Sequence, residues 1–427
     1  MERCVAALSS NSNKQNVKVR RSQSHIPNDL SFSILSKLPI KSFKRFGCVR
    51  KSWSLLLDNP YFMTMYRYHF VTKDHSYYDD TSLLLHQILT PWGLHPGCDR
   101  YPHDDTFELY SVSGSSFENK VKLDWPNIKL KPGYYRAGVK YERGFRLLGS
   151  GSVHGTLYMV CAHNGNFILW NPSTKESKLI PPSPFDSEPN WRFCVIHRGF
   201  GYDSVRDDYK VICYGKVSRN CYGVFTEEAN CGSYLWEIYS VRRNCWRKLD
   251  VDMHNKHDSC NHQQLYVDGL SHWMCFGETC QERYMLSFDW SNEIFLTTLI
   301  PPAPISNING RLEDFWGMKQ LFLLNGSIAF IVSYKETGTF HISILGELGV
   351  KESWTKIFIV GPFPCLEYPI GAGKKGDMLF RKKDGKFAWF DLNTQTIIEE
   401  FGVITQMLGC QITIHKENLL PFEGKSI

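Results

Sequence analysis

Two segments of the chain, HNGNFILWNPST (163–174) and KDGKFAWFDLNT (383–394), superpose position by position without a gap. Each runs from a glycine turn through a short apolar strand into a second turn. Gly165 falls on Gly385 and Asn171 on Asp391, so the turn residues coincide as well as the apolar ones. A segment that recurs in this way indicates a repeated supersecondary unit, and this part of the chain is predicted to be all-β.

Glycines that open apolar strands set the length of the unit. They are separated by 114, 57 and 50 residues, the first interval being twice 57, and they are Gly155, Gly269, Gly326 and Gly376. A hidden unit is therefore expected near residue 212, where DYKVICYG (208–215) supplies a strand. Asn325-Gly326 is also a strong signal for a two-residue hairpin turn.

A recurring unit of about 40 to 50 residues with four strands is typical of a β-propeller blade. Residues 71–427 have room for about six such units, with five and seven as alternatives. LLLHQIL, FELYSVS and KVKLDW supply a degenerate first blade. The strand CQITIHKENLL (410–420) is expected to pair into that blade and close the ring, because closure removes two free sheet edges. Trp and Tyr rings are expected to fill the gaps between blades.

The N-terminal stretch from His25 to Phe70 has helical instead of strand periodicity and predicts three short amphipathic helices. Apolar residues recur in a first stripe at Leu30, Ile34, Leu35 and Leu38, and in a later one at Val49, Trp53, Leu56 and Leu57. Helices this small cannot bury so much apolar surface among themselves. Part of that surface should lie against the rest of the chain or remain open for a partner.

The runs IPNDL, ILSKLPIKS and CVRKSW, followed by Pro60, Tyr61 and Phe62, resemble the plant form of the F-box. The resemblance implies docking to a Skp-type adaptor, which joins a cullin-RING ubiquitin ligase. Some residues of the set must instead pack the helices together, and the alternative is that the helices only cap the core of the larger domain. The predicted adaptor-binding residues are Ile26, Pro27, Leu30, Ile34, Leu35, Leu38, Pro39, Val49 and Trp53.

A second resemblance covers nearly all of residues 145–395. Its carriers are ILWNPST, GFGYDSVRDDYKVI, IYSVRRNCWR, LYVDGLSHWM, LSFDWSNE and GVKESWTKIF, which resemble the F-box associated domain of plants, a kelch-like propeller relative. The resemblance implies that the propeller holds a target protein, without fixed target-binding residues. The loop aromatics Trp92, Tyr134, Tyr135 and Trp191 are either an exposed recognition surface or packing between blades.

The expected fold class is thus α+β, with a basic, disordered tail at 1–24, an F-box helical module at 25–70 and an all-β propeller at 71–427. Residues 1–70 hold 12 Lys and Arg against 3 Asp and Glu, which leaves 37 against 40 for the rest of the chain. This balance argues against nucleic-acid binding. We see no signal peptide and no apolar run long enough to span a bilayer, so we expect no membrane partner and a location in the cytoplasm, the nucleus or both. The 14 cysteines contain no C-x-x-C pair and are expected to be buried or half-buried thiols.

Enzyme-like patterns are weak. GAGKKG (371–376) satisfies G-x-G-x-x-G but precedes a strand, whereas a dinucleotide site needs a helix there. His254, His257, Cys260 and His262 could offer zinc ligands, but their spacing fits no recognised site and a solvated loop is favoured. We therefore predict no catalytic residue, no metal and no cofactor. The predicted function is that of a non-catalytic substrate-recognition subunit of a ubiquitin ligase; the alternatives are an adaptor-bound scaffold without a proteolytic role and, less favoured, a propeller enzyme.

Overall fold

The structure is a computed structural model of the 427-residue chain. It describes residues 27–38, 40–62, 65–66, 81–89, 106–113, 119–128, 145–161, 166–184, 191–219, 233–251, 264–277, 282–301, 319–334, 337–373, 376–401 and 407–416. The predicted tail at 1–24 and the candidate zinc ligands from His254 to His262 lie outside these residues.

Short helices come first. They are α1 (Asn28–Leu35), α2 (Ile40–Gly47), α3 (Lys51–Ser54) and a single 3₁₀ turn at Leu55–Asp58. Pro27 precedes α1 with φ −53° and ψ 144°, and Asp29 lies in its first turn, where a carboxylate interacts favourably with the free backbone N–H groups. The hydroxyl of Ser31 donates to the Pro27 carbonyl at 3.1 Å, which ties the first turn of α1 to the residue before it.

After the helices, the described chain consists of strands, the turns that join them and one 3₁₀ turn at Lys351–Ser353. A first group holds β1 (Thr81–Leu89), β2 (Thr106–Ser113) and β3 (Asn119–Leu123), and a second holds β4 (Phe145–Val153), β5 (Thr156–Cys161), β6 (Phe167–Trp170) and β7 (Ser177–Leu179). A third group holds β8 (Trp191–Asp203), β9 (Asp208–Arg219), β10 (Ser233–Ser240) and β11 (Cys245–Leu249).

The later groups repeat the pattern. The fourth holds β12 (Leu265–Val267), β13 (Leu270–Phe276), β14 (Arg283–Asp289) and β15 (Ile294–Leu299). The fifth holds β16 (Lys319–Leu324), β17 (Ser327–Tyr334), β18 (Thr339–Leu345) and β19 (Trp354–Val360). The sixth holds β20 (Leu366–Ala372), β21 (Asp377–Lys382), β22 (Phe387–Asp391) and β23 (Thr396–Phe401), and β24 (Met407–Lys416) ends the described chain.

Within each group, neighbouring strands pair antiparallel in chain order, so the third to sixth groups are separate four-stranded sheets. The first two groups share an eight-stranded sheet ordered β3-β2-β1-β24-β4-β5-β6-β7. β24 pairs antiparallel with β1 over its whole length and meets β4 through one parallel pair, Ile414 with Gly151. The predicted pairing of the C-terminal strand with the first group is confirmed, and the arrangement of the sheets is propeller-like.

The turns explain why the sequence repeats. Asn171 Oδ1 accepts from the backbone N–H groups of Ser173 and Thr174 at 3.0 and 3.4 Å. Asp391 Oδ1, at the equivalent position of the second segment, accepts from Asn393 and Thr394 at 2.6 and 3.2 Å. The two superposed segments therefore close the same Asx turn, and the repeat is structural.

The glycines that set the period also lie in equivalent turns. His154-Gly155, Asp268-Gly269 and Asn325-Gly326 have positive φ at both residues, as a two-residue type I′ hairpin requires. Each joins the first strand of its group to the second. The expected strand near residue 212 is β9, so the hidden unit is confirmed as well.

Aromatic rings fill the contact between the third and fourth groups. Trp273 and Trp290 are buried against Gly199 and Gly201 of β8, and a Cβ added at Gly201 would overlap the Trp290 indole. The Trp290 Nε1–H donates to the Ser271 hydroxyl at 2.9 Å. Since only glycine leaves room for these rings, the β8 glycines and the two tryptophans form one packing unit.

The helices pack on the sheet region. Leu35, Phe62 and Tyr66 are buried in one apolar cluster with side chains from β16 to β22, and Leu38 and Trp53 are half-buried against it. Phe32 meets Phe62 edge-on at 5.0 Å. The helices are thus anchored to the fifth and sixth groups, which is one of the two arrangements that the sequence left open for their apolar surface.

Cysteines depart in part from the expectation. Cys161 and Cys213 are buried free thiols and Cys410 is half-buried, but Cys48, Cys245 and Cys365 are exposed. Cys275 is disulfide-bonded. The expectation of uniformly buried or half-buried thiols is therefore wrong. Cys245 is exposed because it directly follows the tight turn that connects β10 to β11.

Candidate interaction surfaces

The first helix divides its apolar stripe between two environments. Leu35 is 3 % exposed and belongs to the core, whereas Leu30 and Ile34 are 57 % and 54 % exposed. Leu30 and Ile34 are four residues apart, so they lie on the same face of α1, one turn from each other. Leu30 and Ile34 are thus an apolar pair that is open to water next to the buried Leu35. Such a pair is a candidate contact for another protein.

The second helix, the link to the third and the 3₁₀ turn also leave large apolar side chains in solvent. Phe46, Val49 and Leu55 are exposed, and so is Tyr61 after the 3₁₀ turn. We define the exposed helix residues as Leu30, Ile34, Phe46, Val49, Leu55 and Tyr61. Tyr61 stacks on Phe32 at 5.4 Å, so its ring is held in place although it faces water.

The nine predicted docking residues are therefore not equivalent. Leu30, Ile34 and Val49 are exposed and Pro27 is too, while Leu35 is buried and Leu38 and Trp53 are half-buried against the sheets. Ile26 and Pro39 lie outside the described residues. The sequence prediction omitted Phe46, Leu55 and Tyr61; the apolar pattern could have identified Phe46, because it lies in the same amphipathic stretch.

A second surface is a groove of about 620 Å³ between the third and fourth groups of strands. We define the arginine groove by its charged lining residues, which are Arg206, Asp208, Lys210, Arg242, Arg243, Arg247 and Glu293. The turn between β8 and β9 supplies Arg206 and the turn between β10 and β11 supplies Arg242 and Arg243, while the other four lie on β9, on β11 and in the turn between β14 and β15. A residue with positive φ closes each of these two hairpins, Asp207 in the first and Asn244 in the second.

A buried lysine lies at the base of this groove. The Lys210 ammonium, 5 % exposed, donates to Asp203 Oδ2 and to Glu293 Oε1, both at 2.6 Å. Burial would raise the pKa of Asp203, but hydrogen bonds from Lys210 and Arg206 outweigh it and lower the pKa to about 2. For Glu293 the same balance, with Arg247 and Lys210 as donors, lowers the pKa. Both acids therefore stay ionised and hold the cations in position.

A smaller cavity of about 280 Å³ lies where the first strands of several groups meet, lined by His154, Tyr266, Asp268, Leu323 and Lys416 among others. Burial lowers the pKa of His154, so its ring is neutral at pH 7. Buried histidines elsewhere are also neutral, since burial lowers the pKa of His86 to about 4 and that of His272 to about 3. The His86 and His272 rings are buried core side chains, whereas the His154 ring is exposed at the rim of the cavity.

The structure shows where some of the enzyme-like sequence patterns lie. β20 precedes the GAGKKG run and β21 follows it, so the helix that a dinucleotide site needs is replaced by a strand. Within the described ranges, no three His, Cys, Asp or Glu side chains are grouped as metal ligands would be. Trp92, Tyr134 and Tyr135 lie outside the described residues, and Trp191 begins β8 with an undescribed side chain.

Comparison with known proteins identifies a matching protein family and several relatives. The model of the F-box associated beta propeller domain matches residues 152–418. F-box protein At1g52495 from Arabidopsis thaliana is 27% identical over 362 residues, which cover 81% of this chain and 70% of the relative. Putative F-box protein At1g47800 from the same plant is 25% identical, with coverages of 84% and 92%. F-box/kelch-repeat protein At3g23880, also from Arabidopsis thaliana, is 24% identical, with 79% of each chain covered.

Among the helices that the structure describes, none has the length and apolar character needed to cross a bilayer.

Proposed function

This chain belongs to the F-box associated beta propeller domain family, and we propose that it is the substrate-recognition subunit of a Skp-cullin-F-box ubiquitin ligase. The relatives are named F-box proteins, and the exposed helix residues carry the proposal. On this assignment residues 1–24 are a basic tail, 25–70 an F-box and 71–427 a propeller. The six strand groups are six blades, with β24 completing the first.

The helices would bind a Skp-type adaptor through the exposed helix residues. Leu30 and Ile34 repeat on one open face of α1 while Leu35 fixes the helix to the sheets. Burying a leucine or isoleucine side chain contributes about 1.5–3 kcal/mol, so two of them account for roughly a hundredfold in affinity or more. The adaptor would link the chain to a cullin-RING ligase.

The strand region would bind the target protein. Holding target and ligase together raises the effective concentration of the ubiquitin-loaded enzyme near target lysines, so the chain would accelerate transfer by positioning and would not be an enzyme itself. No cofactor, membrane or nucleic acid enters this mechanism. We propose the cytoplasm, the nucleus or both as its location.

The test is co-purification with a co-expressed Skp-type adaptor. Leu30→Asp with Ile34→Asp should reduce bound adaptor at least tenfold, because charged groups would replace apolar contacts, while the melting temperature stays within about 2 °C. The matched control, Ile294→Asp with Ile398→Asp, changes two equally exposed apolar residues on β15 and β23 and should bind normally. Equal binding by both variants would refute adaptor docking at α1.

The alternatives are separated by a second measurement. A scaffold without a proteolytic role would bind the adaptor but leave the half-life of its captured target unchanged when α1 is altered. A propeller enzyme would need a bound metal or clustered acids, and elemental analysis of the purified full chain tests the metal directly. Longer target half-life in the Leu30→Asp, Ile34→Asp variant supports the ligase subunit.

A further inference from the structure

The arginine groove concentrates positive charge on a strand region that is otherwise acidic overall. Five cationic side chains line it against two acidic ones, and Asp203 beneath it adds a third acid. The net charge of this group is therefore about +2, whereas residues 71–427 together hold 37 Lys and Arg against 40 Asp and Glu. Such a local excess attracts an anionic partner and repels basic ones.

The acids of the groove are already engaged. Asp208 accepts the Ser240 hydroxyl at 2.5 Å and the Arg242 backbone N–H at 2.9 Å. Glu293 accepts from Lys210 at 2.6 Å and from the Arg247 guanidinium. Because these carboxylates are satisfied within the chain, they position the cations and leave donors of the groove available to an incoming oxyanion.

The turn that carries two of the arginines is rigidly held. The backbone N–H of Arg243 donates to the Ser240 hydroxyl at 3.0 Å, and the Tyr239 hydroxyl donates to Asn244 Oδ1 at 2.7 Å. The Arg242 guanidinium donates to the Arg206 carbonyl at 3.1 Å, and most of its five N–H groups make no further hydrogen bond to the described residues. The Arg243 side chain is exposed and makes no hydrogen bond or ion pair within the described part of the chain.

We propose that the arginine groove binds an acidic segment of the target protein, with phosphate or clustered carboxylate oxygens held by Arg242 and Arg243. Guanidinium groups carried on a turn whose backbone is held in this way can bind oxyanions through paired hydrogen bonds. The volume of about 620 Å³ lies in the range of about 300–1,000 Å³ usual for small-ligand sites, which is room for a few acidic side chains of such a segment. This inference rests on the proposed function, because it specifies the chemistry by which the strand region recognises its target.

Fluorescence polarisation of the full chain with three labelled peptides tests the proposal. The peptides share one twelve-residue scaffold and differ at three central positions, which are serine, phosphoserine or glutamate. The phosphoserine or glutamate peptide should bind at least tenfold more tightly than the serine peptide, and affinity should fall as salt rises from about 50 to 200 mM. The stronger of the two identifies phosphate or carboxylate as the preferred oxyanion.

The double substitution Arg242→Gln with Arg243→Gln should weaken the affinity for the acidic peptide at least tenfold. The control, Arg146→Gln with Lys351→Gln, removes the same charge from exposed positions outside the groove and should change affinity less than twofold. Arg243→Glu alone alters an exposed side chain that makes no hydrogen bond or ion pair among the described residues, so it should weaken binding without affecting folding. Equal affinity for all three peptides, equal loss in the control, or tighter binding of a single-stranded oligonucleotide at the same arginines would overturn the proposal.

Adaptor co-purification and acidic-peptide binding, both measured on the native chain, keep the two proposals apart. If the adaptor binds and the acidic peptide does not, only the assignment of the arginine groove is refuted. Acidic-peptide binding without adaptor binding would sink the ubiquitin ligase role alone.

Discussion

Lys210→Met should destabilise the protein by about 3 kcal/mol at pH 7. The ammonium of Lys210 is buried and bonds to both Asp203 and Glu293 at 2.6 Å. Removing one partner of a buried charge cluster typically costs about 3–5 kcal/mol, because the remaining charges lose compensation. The lower end applies here, since Asp203 keeps Arg206 and two backbone N–H donors.

The pH dependence gives an independent value for the contribution of this charge cluster to stability. The pKa of Asp203 is lowered from 3.8 to about 2, which corresponds to about 2.5 kcal/mol of stability. A lowered pKa means that this contribution is complete above pH 4 and is lost as pH falls from about 4 towards 2. The difference in stability between Lys210→Met and the native chain should therefore be largest at neutral pH and smaller at pH 3.

Urea unfolding followed by tryptophan fluorescence at pH 7 and pH 3 measures both effects. Lys248→Met is the matched control, because Lys248 is exposed and its contact with Asp250 is 3.6 Å between two solvated groups; it should cost less than about 0.5 kcal/mol. A cost for Lys210→Met as small as for the control, or one that does not shrink at pH 3, would refute the assignment of the buried cluster.

Three further predictions concern packing and turns. Gly201→Ala should lower stability by about 2 kcal/mol in urea unfolding because its Cβ overlaps the buried Trp290 indole, and an unchanged transition would contradict this contact. Gly326→Ala, at φ +72° with open space around it, should cost only about 1 kcal/mol of backbone strain by the same measurement, so a cost equal to that of Gly201→Ala would show that space is not the deciding factor. Leu35→Asp should lower the melting temperature of the whole chain, since Leu35 is in the core shared with the sheets, whereas Leu30→Asp should not; equal melting temperatures would exclude that shared core.

The repeated turns could be predicted because their causes are local. Asn171 and Asp391 each accept hydrogen bonds from the backbone groups that closely follow them in the chain, so the residue type alone signals the turn. The same holds for Asn325-Gly326, whose positive φ values few other pairs adopt. Local chemistry of this kind recurs once per unit, and it therefore revealed the period and the position of β9.

The division of the α1 stripe could not be predicted from the helix. Ile34 and Leu35 are neighbours with nearly the same hydrophobicity, yet one is exposed and the other is buried against β16 to β22. Those strands belong to the fifth and sixth groups, at the far end of the chain from α1. Which residue faces them depends on how the helices settle on the sheets, a long-range contact that helical periodicity does not encode.

The arginine groove was hidden for a related reason. Asp207 and Asp208 have the sequence context of ordinary turn residues; Asp207 lies in the turn before β9 with a positive φ, and Asp208 begins that strand. The structure adds that Asp208 is buried and binds the next turn through Ser240 and Arg242. Glu293 reaches the same site from the following group of strands. Neither turn indicates a groove by its own sequence, and only the packing of neighbouring groups brings their charges together.

Anchoring of the helices has a mechanical consequence for the proposed ligase role. Phe62 and Tyr66 continue the contact of Leu35 with the fifth and sixth groups, and Arg45 adds a salt bridge to Glu347 at 3.6 Å. The arginine groove lies on the third and fourth groups. Since both surfaces are attached to one set of packed sheets, a target in the groove would be held at a fixed distance from an adaptor on α1. A rigid connection of this kind favours ubiquitin transfer to target lysines at one particular distance from the adaptor. A flexible tether would instead distribute the same effective concentration over lysines at many distances.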